Sequence, residues 1–163
     1  MTPAATKAGQ PPTVAERSAF LLALLGRVAA RRLKDELAET GLKSPHATIL
    51  IMLRDVGPLS QQDLGERLHV DPSNLVGFLN SLEEDGLVVR RRDPADRRRH
   101  IVEVTKQGID RCPACQAPID AIEDQLFAGL SGEDRERLHS LLADVVMTMS
   151  VEEVPPGDRS DLD

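Results

Sequence analysis

Between Ser60 and Val104 the chain has almost no freedom of choice, because helix starts, helix stops and a turn follow one another without a spare residue. Ser60-Gln61-Gln62-Asp63 has the form of a capping box and opens a short helix to about Leu68. A tight link, His69-Val70-Asp71, follows, and Asp71-Pro72 then supplies a cap residue and a proline suited to the first helical position. This second helix runs to Asp85 and is stopped by Gly86. Two β-branched runs come next, Leu87-Val88-Val89 and Ile101-Val102-Glu103-Val104, joined by the turn-forming Asp93-Pro94-Ala95-Asp96. A short helix, a tight link and a second helix make a helix-turn-helix, and the hairpin beside it makes a wing. The expected fold is therefore mainly α (α+β), a winged helix-turn-helix.

Long helices flank this unit. The first is predicted from about Val14 to Glu39, with Phe20, Leu21, Leu24, Leu25 and Val28 on one stripe and Gly41 past its end. Ser44-Pro45 starts a helix carrying Ile49, Leu50 and Leu53 that stops at Gly57-Pro58. After Thr105 the chain is helical to about Gly129, with Pro113 and Pro118 expected to kink or delay it. Ser131-Gly132-Glu133-Asp134 caps a last helix, on which Leu138, Leu141, Leu142, Val145, Val146 and Met149 recur at helical spacing. Residues 1–12, rich in Pro, Ala and Thr, and the acidic residues 151–163 are expected to be disordered tails.

The formal net charge of −7 argues against a polyanionic partner, but its distribution argues for one. Arg90, Arg91, Arg92, Arg97, Arg98 and Arg99 crowd the hairpin, opposed only by Asp93 and Asp96. An acidic molecule with one concentrated basic element holds a polyanion there and repels it elsewhere. An arginine at such a tip can enter the minor groove of duplex DNA, and Asp96 is close enough in sequence to orient Arg98. Arg90, Arg91, Arg92, Arg97 and Arg99 are expected to meet phosphates mainly, adding affinity rather than sequence reading.

Wound as a helix, residues 73–84 place Leu75, Val76, Phe78, Leu79 and Leu82 in one apolar sector. Ser73, Asn74, Gly77, Asn80, Ser81 and Glu84 lie opposite, a face of small polar groups suited to a major groove about 12 Å wide. Asn74 and Asn80 are candidates for adenine edges, and Ser73 for a phosphate. Gly77 costs about 1 kcal/mol of helix propensity, which a close backbone approach to the bases would explain. One such module has a small footprint. The terminal helices are broader in apolar surface than a winged-helix core covers, through Leu21, Leu22, Leu25, Leu141, Val145 and Met149, so a homodimer reading an inverted repeat is expected.

The 163 residues hold one domain with a sizeable core. No apolar run approaches the roughly 20 residues of a membrane span, and the start lacks the features of a signal peptide, so a cytoplasmic location is expected. A Gly-rich phosphate loop, G-x-S-x-G, H-E-x-x-H and a clustered carboxylate pair are all lacking, so no enzyme, cofactor or metal site is expected. Cys112 and Cys115 form a C-x-x-C that leaves three readings open: a redox switch, half a metal site, or quiet packing on one helix face. A winged helix serving as a protein-interaction scaffold, its arginines meeting an acidic partner, is the alternative to DNA binding.

Leu79-Asn80-Ser81-Leu82-Glu83-Glu84-Asp85-Gly86-Leu87-Val88, followed by Arg91, Asp93-Pro94-Ala95-Asp96-Arg97-Arg98 and Val104-Thr105-Lys106-Gln107-Gly108, resembles the MarR family of transcriptional regulators. The resemblance covers about Ser18 to Met149. It implies that Asp96 braces the wing, that Arg98 enters the minor groove and that the terminal helices interlock two protomers. Residues 13–43 and 105–150 would then form the dimerisation region, with 44–104 as the DNA-binding domain. Where many relatives have Thr-Arg, this chain has Val76-Gly77. Peroxide-sensing relatives use a cysteine near the first helix together with tyrosines, and this chain has neither there. Relatives that bind small aromatic acids imply a small-molecule effector, although Phe20, Phe78 and Phe127 are the whole aromatic inventory apart from histidine. Repression is the simpler mode, since occluding a promoter requires only tight binding.

Overall fold

A computed structural model describes residues 13–94, Asp96 and residues 99–148. The expected tails and Met149 lie outside the described residues, as do Arg97 and Arg98. Six helices and a small sheet follow in the order α1 (Ser18–Leu37), α2 (Ser44–Val56), β1 (Leu59–Ser60), α3 (Gln61–Leu68), α4 (Pro72–Glu84), β2 (Val88–Arg92), β3 (His100–Val104), α5 (Lys106–Leu126) and α6 (Gly132–Met147). No helix is long and apolar enough to cross a membrane among the described residues.

Local chemistry sets most of the boundaries. Ser60 Oγ accepts the Asp63 amide at 3.0 Å to start α3, Asp71 accepts the Ser73 amide at 2.8 Å to start α4, and Thr105 and Ser131 do the same for α5 and α6. His69, in the left-handed region at φ 50°, turns the chain between α3 and α4. Three expectations shift. The chain does not enter α1 at Val14; Val14–Glu16 is a separate 3-10 turn, closed by the Thr13 amide on the Glu16 carboxylate, and the extended Arg17 separates it from the helix. Ser44 is the first residue of α2 and not its cap, which is Lys43. Pro113 and Pro118 lie inside an unbroken α5, which packing against α1 and α2 keeps helical.

The hairpin pairs as expected, Val88 opposite Val104 and Arg92 opposite His100. The two-residue strand β1, not anticipated from sequence, pairs its Leu59 with Val102 on the other side of β3. A two-residue strand whose second residue is also the cap of α3 is too short to show a strand's alternation. The sheet order is β1-β3-β2, which ties the start of α3 to the hairpin.

Leu50 and Leu53 of α2, Leu64 of α3, Leu75, Leu79 and Leu82 of α4, and Val102 of β3 meet in one buried core. Gly108 is the tightest junction, because a Cβ there would overlap the carbonyl oxygen of Leu87 where α5 presses on the start of β2. Gly108→Ala is expected to cost about 1–3 kcal/mol of stability, read as a lower denaturant midpoint. An unchanged midpoint would mean that this junction yields freely.

Candidate nucleic-acid interface

The orientation of α4 follows from which of its side chains the core takes. Leu75, Phe78, Leu79 and Leu82 are buried, and Phe78 packs edge-on to the His46 ring of α2 with centroids 5.6 Å apart. Burial holds the pKa of His46 below its ordinary value, with Lys43 adding to the effect, so the ring packs there as a neutral group. Val76 does not join this sector. It is 40% exposed, because winding by 100° per residue sets it roughly 110° from the middle of the buried stripe. Ser73, Gly77, Asn80 and Glu84 are exposed, and Asn74 and Ser81 half-buried, so the anticipated outward residues share one side with Val76 among them.

Two of those residues have their polar atoms engaged. The Ser73 hydroxyl donates its one hydrogen to Asp71, which leaves it an acceptor and removes the expected donation to a phosphate. Hydrogen bonds from Ser73 also hold the Asp71 carboxyl below its usual range. The Asn80 carbonyl oxygen accepts from Arg90 Nη2 at 2.7 Å. Its amide hydrogens face outward chemistry, as donors.

The hairpin arginines divide into two groups. Arg90 turns back onto α4, where its Nε reaches Glu83 at 2.9 Å and its own backbone amide reaches the same carboxylate at 3.1 Å. Those bonds hold the Glu83 carboxyl below its usual range. Arg99 turns onto the start of α3, 3.3 Å from Ser60 Oγ and 3.8 Å from the Asp63 carboxylate. These two guanidiniums brace the wing against the helices and are not the unencumbered phosphate contacts the sequence suggested. Arg91 is mostly exposed, 3.7 Å from Glu103 on the facing strand, and Arg92 is exposed next to it. The Asp93 amide donates to the Arg99 carbonyl at 3.0 Å and the Arg99 amide to the Asp96 carbonyl at 2.9 Å, closing the turn. The structure thus brings the outward face of α4 and the base of the basic hairpin together; Arg97 and Arg98 lie outside the described residues. Sequence reasoning missed the Glu83 and Asp63 partners, the first on the helix preceding Arg90 and the second on α3, neither carrying a pattern that pairs it with an arginine.

The family model for MarR matches residues 42–100, the segment that builds this face. The chain is 31% identical to the transcriptional regulator HosA of Escherichia coli O111:H- over 102 residues, 62% of this chain and 75% of HosA. The chain belongs to the MarR family. It is also 31% identical to YdgJ of Bacillus subtilis (strain 168), an HTH-type transcriptional regulator, over 64% of this chain, and there it spans 63% of its relative's length. Its fold is similar to that of CouR from Rhodococcus jostii RHA1, solved with p-coumaroyl-CoA, at 26% identity and a TM-score of 0.77 over 86% of this chain and 99% of CouR.

In this MarR-family chain the C-x-x-C lies on α5 facing inward. Cys112 and Cys115 are both fully buried, and the Cys112 thiol donates to the carbonyls of Gly108 at 3.3 Å and Leu50 at 3.7 Å. Burial pushes both thiols up, the opposite of what a reactive cysteine needs. Among the described residues no three His, Cys, Asp or Glu side chains gather to hold a metal. Of the three readings of this motif, the geometry favours packing. A thiol-reactive disulfide reagent is therefore expected to label native protein only as fast as it unfolds, and both cysteines at once in guanidinium. Rapid labelling of folded protein would restore the redox reading.

Proposed function

We propose that the chain is a homodimeric, sequence-specific DNA-binding regulator of transcription, with α4 in the major groove and the wing, residues 90–100, in the neighbouring minor groove of an inverted repeat. The observation that carries this reading is the outward face of α4: small, uncharged over its first turns, and continuous with a hairpin that holds six arginines. HosA and YdgJ, both described as transcriptional regulators, support it. On this reading Arg98 enters the minor groove, Asp96 braces it, and Arg91, Arg92 and Arg97 meet phosphates. The protein's net negative charge keeps DNA from its other surfaces.

Dimerisation is the second part. Leu21, Leu22 and Leu25 of α1 and Leu141 and Val145 of α6 are each more than 40% exposed, and α6 buries no residue of its own within one chain. These side chains, expected to exceed what a winged-helix core covers, are thus left uncovered within one chain. Apolar surface of this extent marks an interface, and a second copy placed on it by a two-fold axis matches a two-fold operator. Residues 13–43 and 105–150 would supply this contact and residues 44–104 the DNA contact. Repression by occlusion is the mode this arrangement achieves most simply. CouR is solved with p-coumaroyl-CoA, and we extend the proposal to a small-molecule effector for this chain.

Selection of bound duplexes from a random pool is expected to return an inverted repeat with half-site centres about 34 Å apart. Binding should weaken steeply with salt, and Arg98→Ala should weaken it most where the wing meets A·T-rich sequence. Protein that ignores every duplex at low ionic strength, or prefers an acidic protein, would overturn the assignment. Separately, wild type should sediment at twice the chain mass, and Leu21→Glu with Leu141→Glu at the chain mass. Were that double variant still dimeric, the interface would lie elsewhere.

A further inference from the structure

Val76 and Gly77 form an uncharged, partly apolar patch on the outward face of α4, left open to solvent among the described residues. Val76 is 40% exposed, and a Cβ placed on Gly77 would meet no atom within 4 Å. Their neighbours one turn away are Ser73, whose hydroxyl donates to Asp71, and Asn80, whose carbonyl oxygen accepts from Arg90. No lysine or arginine lies in α4. An exposed valine and a glycine in mid-helix both oppose helix formation, and neither belongs to the buried core that would offset the cost. What the two residues share is a surface property. A valine in a helix is confined largely to one rotamer, so its two methyls are presented in a fixed place, and the glycine next to it lets another surface approach the backbone.

Resting on the reading that α4 enters the major groove, we infer that Val76 is a specificity-determining residue that packs on the 5-methyl group of thymine, with Gly77 as the gap that lets the base edge come close enough. Thymine's methyl is the apolar group that the base pairs of DNA present in that groove, so it is the complement of an exposed, rigid isopropyl group. Arginine readers of guanine are missing from this helix, and Asn80 offers donors while its acceptor is occupied. The half-site is thus selected by shape and methyl contact, while the hairpin arginines contribute most of the attraction to the backbone.

The test uses the full-length protein and the duplex enriched from a random pool. Each thymine of the half-site is replaced in turn by deoxyuridine, which removes the methyl and keeps every hydrogen-bonding group. At one position per half-site the wild type is expected to lose about fourfold in affinity, the value of one buried methyl. Val76→Ala should bind more weakly and be indifferent to the same replacement, so that the two losses do not add. Gly77→Ala has room for its methyl within the fold and should melt about 2–4 °C higher, yet bind about tenfold more weakly or worse. Deoxyuridine tolerated at every thymine, or Gly77→Ala binding like wild type, would overturn the inference and leave DNA binding itself standing. Failure to bind any duplex would overturn both.

Discussion

The structure depends on one amphipathic helix being held the right way round. Leu75, Phe78, Leu79 and Leu82 commit α4 to the core, and burying four such side chains is worth about 6–12 kcal/mol against leaving them in water. The ion pair between Arg90 and Glu83 is partly exposed and belongs to a class worth about 0–1 kcal/mol. Burial therefore decides the rotation of α4, and the ion pair can only refine what burial has set. Its effect is geometric. Through Glu83 and Asn80 it fixes the base of the hairpin to the last turns of α4, so that the two elements proposed to face DNA are tied together.

Most of this was legible along the chain because the signals are local. A cap, a proline, a stop and a β-turn act over three or four residues, and Ser60, Asp71, Thr105 and Ser131 all bond where their spacing to the next amide suggests. What was illegible is non-local or marginal. Strand β1 exists only because Leu59 finds Val102, some forty residues on, and two residues cannot announce that. Val76 lies at the edge of its sector, where a helical projection separates buried from exposed poorly. The arginines read as one basic cluster in one dimension, whereas in three Arg90 and Arg99 face Glu83, Asp63 and Ser60. Like residues adjacent in sequence point to opposite faces of a strand, and their partners arrive from elsewhere.

The division of the hairpin's charge has a consequence for an acidic protein. With Arg90 and Arg99 set against carboxylates, the attraction a polyanion feels comes from the arginines farther out, Arg91 and Arg92 among them. Pairing places the guanidiniums nearest the helices in structural roles, while Arg91 and Arg92 lie exposed on the outer strand. The wing is thereby braced at its base. On the proposed reading this suits a minor-groove probe, since a flexible arm would lose conformational entropy on docking.

A reading face without lysine or arginine fits the proposed arrangement better than a basic one would. Lysine or arginine on the reading face would bind any phosphate within reach, which raises affinity for every sequence alike and narrows the difference between right and wrong sites. Ser73, Val76, Gly77 and Asn80 contribute little attraction on their own. On the proposed reading their contribution is exclusion: a small, rigid surface accepts a base edge of matching shape and leaves gaps or clashes against others. A weak but selective helix is workable only when something else holds the protein on the duplex, and when the selection is applied twice. The hairpin supplies the first. On the proposed reading the uncovered leucines of α1 and α6 supply the second, because a two-fold partner doubles the free-energy penalty of every mismatched base pair in a symmetric site.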